Sequence, residues 1–329
     1  MLVHSFVYGP VPSRRLGLSL GINIIPFKTC TLDCIYCQCG KTTKKTLERR
    51  SFFPINDILS AIRSAVRPSS LVPRSSPPDF LTFSGEGEPT LNQDIGRIIR
   101  RLKREFSIPV AVITNSTLLT DSQVRRDLSA ADLVIPSLDA ADPRNFARVD
   151  RCHRDLRIED IIAGLKLFRR GFRGRIWLEI MLVKGVNDSV EHVVALRKAA
   201  YEIRPDRVQL NTVIRPPAER FAKPVSLDDL EQIQCLFGPD TDIIGEPKDR
   251  IRKAKYQRQA RPDAAILATV QGRPVTKLDL VCSLAVEPRE IEKAPRRLLR
   301  SQRIMPVDFS GKTFYEATQP ERTKTFSST

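Results

Sequence analysis

The 329-residue chain predicts an α/β fold, an open, partial (β/α)6 barrel followed by a small winged-helix-like domain. Three observations predict it. Short β-rich apolar runs alternate with amphipathic stretches six times between residues 16 and 237, and the alternation stops after residue 245. Past that point come a basic stretch, then helix-like pieces and two strand-like ones. Strict βα alternation calls for a parallel sheet with helices outside it. Eight units would close a full barrel, and six leave it open.

Leu16–Ile25 reads as the first strand, followed by a cysteine-rich loop and an amphipathic stretch at Ile55–Val66. Asp79–Ser84 is a short buried strand. Ile95, Ile98, Ile99 and Leu102 then recur at the three-to-four spacing of a helix over Ile95–Phe106. Val110–Thr114 is the third strand, and Thr120-Asp121 is placed to cap the helix that precedes Asp132. Leu133–Leu138, Ile176–Val183 and Arg207–Val213 supply three more strands, with helices near Ile158–Arg170, Ser189–Ile203 and Leu227–Phe237. In such sheets chemistry gathers at the carboxyl ends of the strands.

The barrel is expected to occupy residues 1–245. Residues 246–262 carry seven basic side chains between Lys248 and Arg261 and read as a basic linker. Residues 263–322 hold three helix-like pieces, Ala264–Gln271, Leu278–Leu284 and Arg289–Arg300. Strand-like Ile304–Phe309 and Thr313–Glu316 flank a turn at Ser310-Gly311. Three helices and a hairpin suit a winged helix, a relative of the helix-turn-helix. Pro295 counts against the third helix, because proline costs ~3 kcal/mol in a helix interior. Residues 323–329 are polar and read as a disordered tail.

Composition narrows the functional class. Basic residues outnumber acidic ones by 54 to 38, a net charge of +16. Half of it (16 basic, 8 acidic) lies in residues 251–329. That excess suits either a polyanionic partner, RNA or DNA reached through residues 246–322 rather than a membrane, or a generally basic soluble enzyme. No apolar run approaches the ~20 residues of a membrane span. The N-terminus lacks the basic and apolar regions of a signal peptide, so a cytoplasmic protein without a membrane partner is expected.

The seven cysteines are unevenly spaced. Cys30, Cys34, Cys37 and Cys39 crowd together, while Cys152, Cys235 and Cys282 are scattered. A disulfide framework would spread its staples, and crowding means metal. Thiolates at i, i+4 and i+7 can converge around an iron–sulfur cube. Three ligands for four irons leave one iron open to an exogenous ligand. The alternative is a zinc site that enlists Cys39 as a fourth thiolate.

The C-x3-C-x2-C run, with Tyr36 before the last cysteine, resembles the signature of the radical S-adenosylmethionine (SAM) superfamily. The resemblance implies a partial (β/α)6 barrel and a [4Fe–4S] cluster on Cys30, Cys34 and Cys37. SAM would chelate the open iron, and an electron from the cluster would cleave it to a 5′-deoxyadenosyl radical. It further implies an electron donor such as flavodoxin or ferredoxin. Gly85-Glu86-Gly87-Glu88-Pro89 resembles the family's Gly-Gly-Glu-Pro segment, implying a SAM amino-group site at Gly85, Gly87 and Glu88. Glu86 stands where the family has its first glycine. Asn115, Ser137 and Asp139 match strand ends that the family turns toward the SAM ribose and carboxylate, and Tyr36 is counted with them as a cofactor contact. Glu179, Met181, Gln209 and Asn211 are candidates for the barrel interior. No catalytic residue is identified. Cys152 and His153 read as a solvated loop, and His4 and His192 belong to no constellation.

Residues Tyr8–Gly21, read with the cysteine loop, are similar to a group described as wyosine synthetase-related iron–sulfur oxidoreductases. The related wyosine enzymes rebuild a tRNA guanine and carry a second cluster on extra cysteines. No cysteine precedes Cys30 here, which argues against that pyruvate-dependent reaction. Three functions stay open. The chain is an enzyme modifying RNA (a tRNA-modification type), a radical SAM enzyme acting on a peptide or small molecule, or an iron–sulfur DNA-binding regulator without activity.

Overall fold

The computed structural model describes residues 5–66, 77–244 and 263–318, apart from 264–265, 268, 271–272, 278 and 281–287. The basic stretch 246–262, the tail 323–329, His4 and Cys282 lie outside the described residues. Strands are numbered in chain order. β1 (Val7–Ser13), β2 (Gly17–Ile22), β5 (Phe80–Phe83), β6 (Val110–Thr114), β7 (Leu133–Pro136), β8 (Arg175–Leu182), β9 (Arg207–Thr212) and β10 (Thr241–Ile243) share one sheet in that order. β3 (Thr29–Cys30) and β4 (Lys44–Lys45) form a separate parallel pair within the cysteine loop.

Every neighbouring pair in the large sheet is parallel except β1 and β2. All six expected strands are present, and two more flank them. β1 carries Gly9, Pro10 and Pro12, which disguise a strand in sequence. It is tolerated because an edge strand has one side free of the ladder, and its register shifts between Tyr8 and Val11. β10 is three residues long, too short to show a period.

β8 shows how the barrel is built. Ile176, Leu178, Ile180 and Leu182 are fully buried on one face and join the core formed with the surrounding helices. The alternate face carries Trp177, Glu179 and Met181 into the lumen, as strand geometry requires. The β1–β2 turn closes the floor. Leu16 packs there with Ala111, Leu133, Ile135 and the partly buried Trp177.

The helices follow their sequence signals. α1 (Ile55–Val66), α2 (Ile95–Glu105), α3 (Ser122–Leu128), the one-turn α4 (Pro143–Asn145), α5 (Ile158–Gly171), α6 (Val190–Ile203) and α7 (Leu227–Phe237) surround the sheet. On α2, Ile95, Ile98, Ile99 and Leu102 are wholly buried. At about 1.5–3 kcal/mol for each buried side chain, that face holds the helix to the sheet. Asp121, Ser189 and Ser226 cap α3, α6 and α7 by accepting from backbone N–H groups.

The C-terminal module has its own core, which includes Ile266, Val270, Val275, Leu280, Leu298, Ile304 and Tyr315. β11 (Val275–Thr276), β12 (Ile304–Phe309) and β13 (Lys312–Ala317) form an antiparallel sheet in the order β11-β13-β12. α8 (Pro288–Arg300) runs through Pro295 unbroken, correcting the expectation drawn from that proline. Its neighbours Ala294 and Leu298 are buried in the module's core, and this packing outweighs the lost helical hydrogen bond.

Candidate iron–sulfur and S-adenosylmethionine site

The cysteine loop leaves β2 at the carboxyl end of the sheet and is tied down by backbone hydrogen bonds. Lys28 N–H donates to Glu86 O at 2.8 Å, Asp33 N–H to Asp150 O at 3.0 Å, and Ile35 N–H to Val149 O at 3.0 Å. Cys30, Cys34 and Cys37 are half-buried free thiols. Each has a polar side chain at its sulfur. Asn115 Nδ2 lies 3.5 Å from Cys30 Sγ, Lys28 Nζ lies 3.1 Å from Cys37 Sγ, and Cys34 Sγ donates to Asp150 Oδ1 at 3.4 Å.

The electrostatics suit a cationic occupant. Burial pushes the Cys30 thiol up to about 12, with the charge of Glu88 adding to it. Burial and then Asp150 hold Cys34 well above the ordinary thiol range. Cys37 is held well below it, first by a hydrogen bond from Cys39 and then by Lys28 acting against burial. Burial works against the charge of Lys28, but the thiols of Cys37, Cys39 and Cys30 outweigh it and keep the ammonium protonated. Two desolvated thiols that resist ionising, beside a third that ionises readily, would be held as thiolates by a metal's positive charge. Among the described residues no three His, Cys, Asp or Glu side chains close on a single ion. A cube asks something else, since it spreads its ligands over three irons. Cys39 is buried, its thiol lying between Cys37 and the Gly85 carbonyl, 3.9 Å away. The donor set therefore fits a three-thiolate cluster.

The strand-end residues gather around this loop. Glu88 is buried and is held by its own chain: Oε1 accepts from Thr90 N at 3.0 Å, Thr90 Oγ1 at 2.6 Å and Thr114 Oγ1 at 2.7 Å. Oε2 accepts from Asn115 N at 2.7 Å. Burial raises its pKa, and these hydrogen bonds oppose the rise. Gly87 admits no side chain, because a Cβ there would lie 2.1 Å from Thr29 O and 2.7 Å from Ile25 Cγ2. At Gly85 a Cβ would meet Asn23 Oδ1 at 2.7 Å, in a backbone conformation that L side chains rarely adopt.

Asp139 is buried and already engaged. Tyr36 Oη donates to Asp139 Oδ2, and Met181 N–H donates to Oδ1 at 2.8 Å. Tyr36 and Asp139 thus clasp the cysteine loop to the end of β7, a role that no local sequence pattern announces. Ser137 lies beside them and, with Asn115, Asp139 and Asp150, lines a cavity of about 10 Å³, room for about one water.

Several participants are silent in the sequence. Lys28 and Asp150 have no motif to announce them. Glu179 and Gln209 do line the interior, but they are met there by Arg15 of the β1–β2 turn. Asn211 accepts from Arg14 at 3.0 Å. His192 does belong to a constellation: it is buried, its Nδ1 lies 2.9 Å from Asp142 Oδ2, and the loop leading to α4 supplies that partner. Cys152 and His153 are only partly buried, and His153 N–H donates to Thr31 O at 3.2 Å.

Comparison with known proteins agrees with this geometry. The family model described as Radical SAM superfamily matches residues 24–196, more than half of the chain. UPF0026 protein MJ1312 of Methanocaldococcus jannaschii is 32% identical over 327 residues, 98% of this chain and 99% of that protein. The dual-specificity RNA methyltransferase RlmN of Nitratidesulfovibrio vulgaris is 28% identical over 262 residues, 75% of this chain and 67% of that protein. A crystal structure of a radical SAM methyltransferase from Sphaerobacter thermophilus shares the fold, with a TM-score of 0.52 and 19% identity over 68% of this chain and 65% of its own. The family match indicates an enzyme and lends the non-enzymatic regulator no support. Motif, parallel barrel and relatives converge: the chain belongs to the radical SAM superfamily, whose members bind a [4Fe–4S] cluster and SAM.

Proposed function

We propose that this radical SAM enzyme modifies RNA. The observation that carries the reading is the similarity, over three quarters of the chain, to a protein named as an RNA methyltransferase. The net charge of +16 supports it, because phosphate contacts dominate the affinity of proteins for nucleic acid.

Cys30, Cys34 and Cys37 would hold the cluster. Bound, it supplies the electron that splits the sulfonium of SAM and begins radical chemistry. The rest of the site positions. Gly85 and Gly87 keep side chains away, so that backbone carbonyls can approach the SAM amino group. Glu88, pinned by Thr90, Thr114 and Asn115, would fix the turn after β5 and the Asn115 loop in place around that amino group. Asn115 also steadies Cys30 through its amide. Tyr36 and Asp139 hold the loop against β7, and Ser137 stands beside them at the strand end. An electron donor such as flavodoxin or ferredoxin would reduce the site.

The C-terminal module would grip the nucleic acid. The succession of helical residues, short strand, α8 and hairpin among the described residues supports a winged-helix reading. The test is to trap RNA bound to the full-length protein in cells and compare modified nucleosides with and without the gene. Enrichment of one RNA, with one nucleoside lost in the deletion, is the expected result. An unchanged nucleoside profile with no enriched RNA would sink the reading and favour a peptide or small-molecule substrate.

A further inference from the structure

Four arginines gather where the β1–β2 turn meets the far strands of the sheet and the C-terminal module, with Glu179 and Asp279 as the carboxylates that act on them. Arg14 and Arg15 lie in the β1–β2 turn, Arg215 comes after β9, and Arg273 precedes β11 in the C-terminal module. Arg15 is matched by Glu179. Arg14 donates to neutral groups, Asn211 Oδ1 at 3.0 Å and Ile244 O at 3.1 Å. Arg215 reaches Gln38 Oε1 at 3.4 Å, and its nearest carboxylate, Asp279, lies 3.9 Å away.

These cations are close enough to act on one another. Burial first, and then the charges of Arg273 and Arg14, bring Arg215 down to about 9. Burial and then Arg15 do the same for Arg14, to about 10, with Arg273 adding to it. At Arg14, Glu179 and then Asp279 work against this, and at Arg215, Asp279 and then Cys39 do. The side chain of Arg215 is only 11% exposed. The Nε atoms of Arg215 and Arg273 are buried without a hydrogen-bond partner among the described residues. A fold pays heavily for buried donors and excess charge of one sign, and a bound anion removes both costs.

We propose that Arg14, Arg215 and Arg273 form an oxyanion subsite for one carboxylate or phosphate group of the substrate. Guanidinium forks suit either group. Gln38 directly follows Cys37, so the subsite adjoins the cysteine loop and holds the rest of the substrate next to SAM. Because Arg273 belongs to the C-terminal module, that module completes the site. The inference rests on the reading of this barrel as a substrate-binding enzyme, and it does not depend on RNA being the substrate.

The test uses full-length protein with its cluster reconstituted, titrated calorimetrically at constant ionic strength with inorganic phosphate and, separately, malonate. Saturable binding of one probe is expected. Arg215→Gln and Arg273→Gln should each weaken it at least tenfold, and Arg215→Lys, which keeps the charge and loses the fork, should weaken it less. Preference for phosphate would name a phosphate group of the substrate, and preference for malonate a carboxylate. Iron content and the SAM-dependent spectral change of the same samples report on the cluster separately. Lack of saturable binding of both probes to the unmodified protein would overturn the proposal, as would equal binding by both Gln variants. Displacement of the probe by SAM would overturn it too, by assigning the arginines to the carboxylate of SAM. The arms on unmodified protein need no variant, so a variant that fails to fold leaves the test intact. Retained anion binding with no RNA modified would refute the RNA reading alone.

Discussion

Replacing Glu179 by Ala should be among the most damaging single changes in the barrel. Glu179 and Arg15 are each 11% exposed, and Arg15's other contact here is Gln209 Oε1 at 3.3 Å. Removing the carboxylate leaves a guanidinium buried above the apolar floor of Leu16 and Trp177. Breaking a buried pair from one side costs about 3–5 kcal/mol, because the remaining charge has lost its solvation and its partner. At about 2–4 °C per kcal/mol for a domain of this size, the melting temperature should fall by roughly 6–20 °C. Replacing both residues by Met should restore most of the stability, since an apolar pair leaves no orphaned charge. Urea unfolding of metal-free, reduced protein, followed by circular dichroism and tryptophan fluorescence, compares both variants with the unmodified protein. If Glu179→Ala costs under about 1 kcal/mol, the pair behaves as a solvated surface bridge and the argument fails. A double variant as unstable as the single one would be equally damaging to it.

Three further outcomes are expected. Anaerobically purified protein should carry about four irons and four sulfides; Cys30→Ala, Cys34→Ala or Cys37→Ala should abolish its visible absorbance, and Cys39→Ala should not. Stoichiometric zinc, or cluster loss in Cys39→Ala alone, would contradict that ligand set. Gly87→Ala should cost about 1–3 kcal/mol and blunt the SAM-dependent change in the electron paramagnetic resonance spectrum, because the new methyl must displace Thr29 O from 2.1 Å; an unaltered spectrum at the same SAM concentrations would mean the backbone gives way cheaply. Burial pushes the Asp139 carboxyl up to about 7, with hydrogen bonds from Tyr36 and Met181 partly opposing it. The fold therefore favours its neutral form, a contribution present in full below about pH 4 and lost as pH rises through about 7. Asp139→Asn in the metal-free protein should gain stability relative to the unmodified protein between pH 5 and pH 8, and parallel stability curves would rule this out.

The six parallel strands were legible because each is a run of apolar and β-branched residues bounded by turn chemistry. The three cysteines were legible because their spacing is itself geometry. β1 was hidden by Pro10 and Pro12, which an edge position tolerates, and β10 by its three-residue length. The floor of the barrel was hidden for a different reason. Arg15 and Glu179 stand 164 positions apart, and no local pattern links an arginine in a turn to a carboxylate on a distant strand. Asp139 was found by its place at a strand end, but its engagement by Tyr36 and Met181 is a tertiary fact. Pro295 was weighed by helix propensity, and the packing of Ala294 and Leu298 around it decided the matter.

The outer strands of the sheet, β1 and β10, each have one neighbour, and they lie at opposite ends of its order. Arg14 links the two ends, reaching from the β1–β2 turn to the carbonyl of Ile244 just beyond β10. The barrel wall is thus a woven fabric along most of its circumference and, at this seam, a few side-chain stitches among the described residues: Arg14 to Asn211 and Ile244, and Arg15 to Glu179 and Gln209. Parting any two adjacent inner strands would sacrifice a ladder of backbone hydrogen bonds. Opening the seam would cost these side-chain contacts, and the Arg14 guanidinium belongs to the proposed anion subsite. Occupancy of that subsite and closure of the wall would then draw on one side chain, so the arrival of a substrate anion would be felt first at the seam.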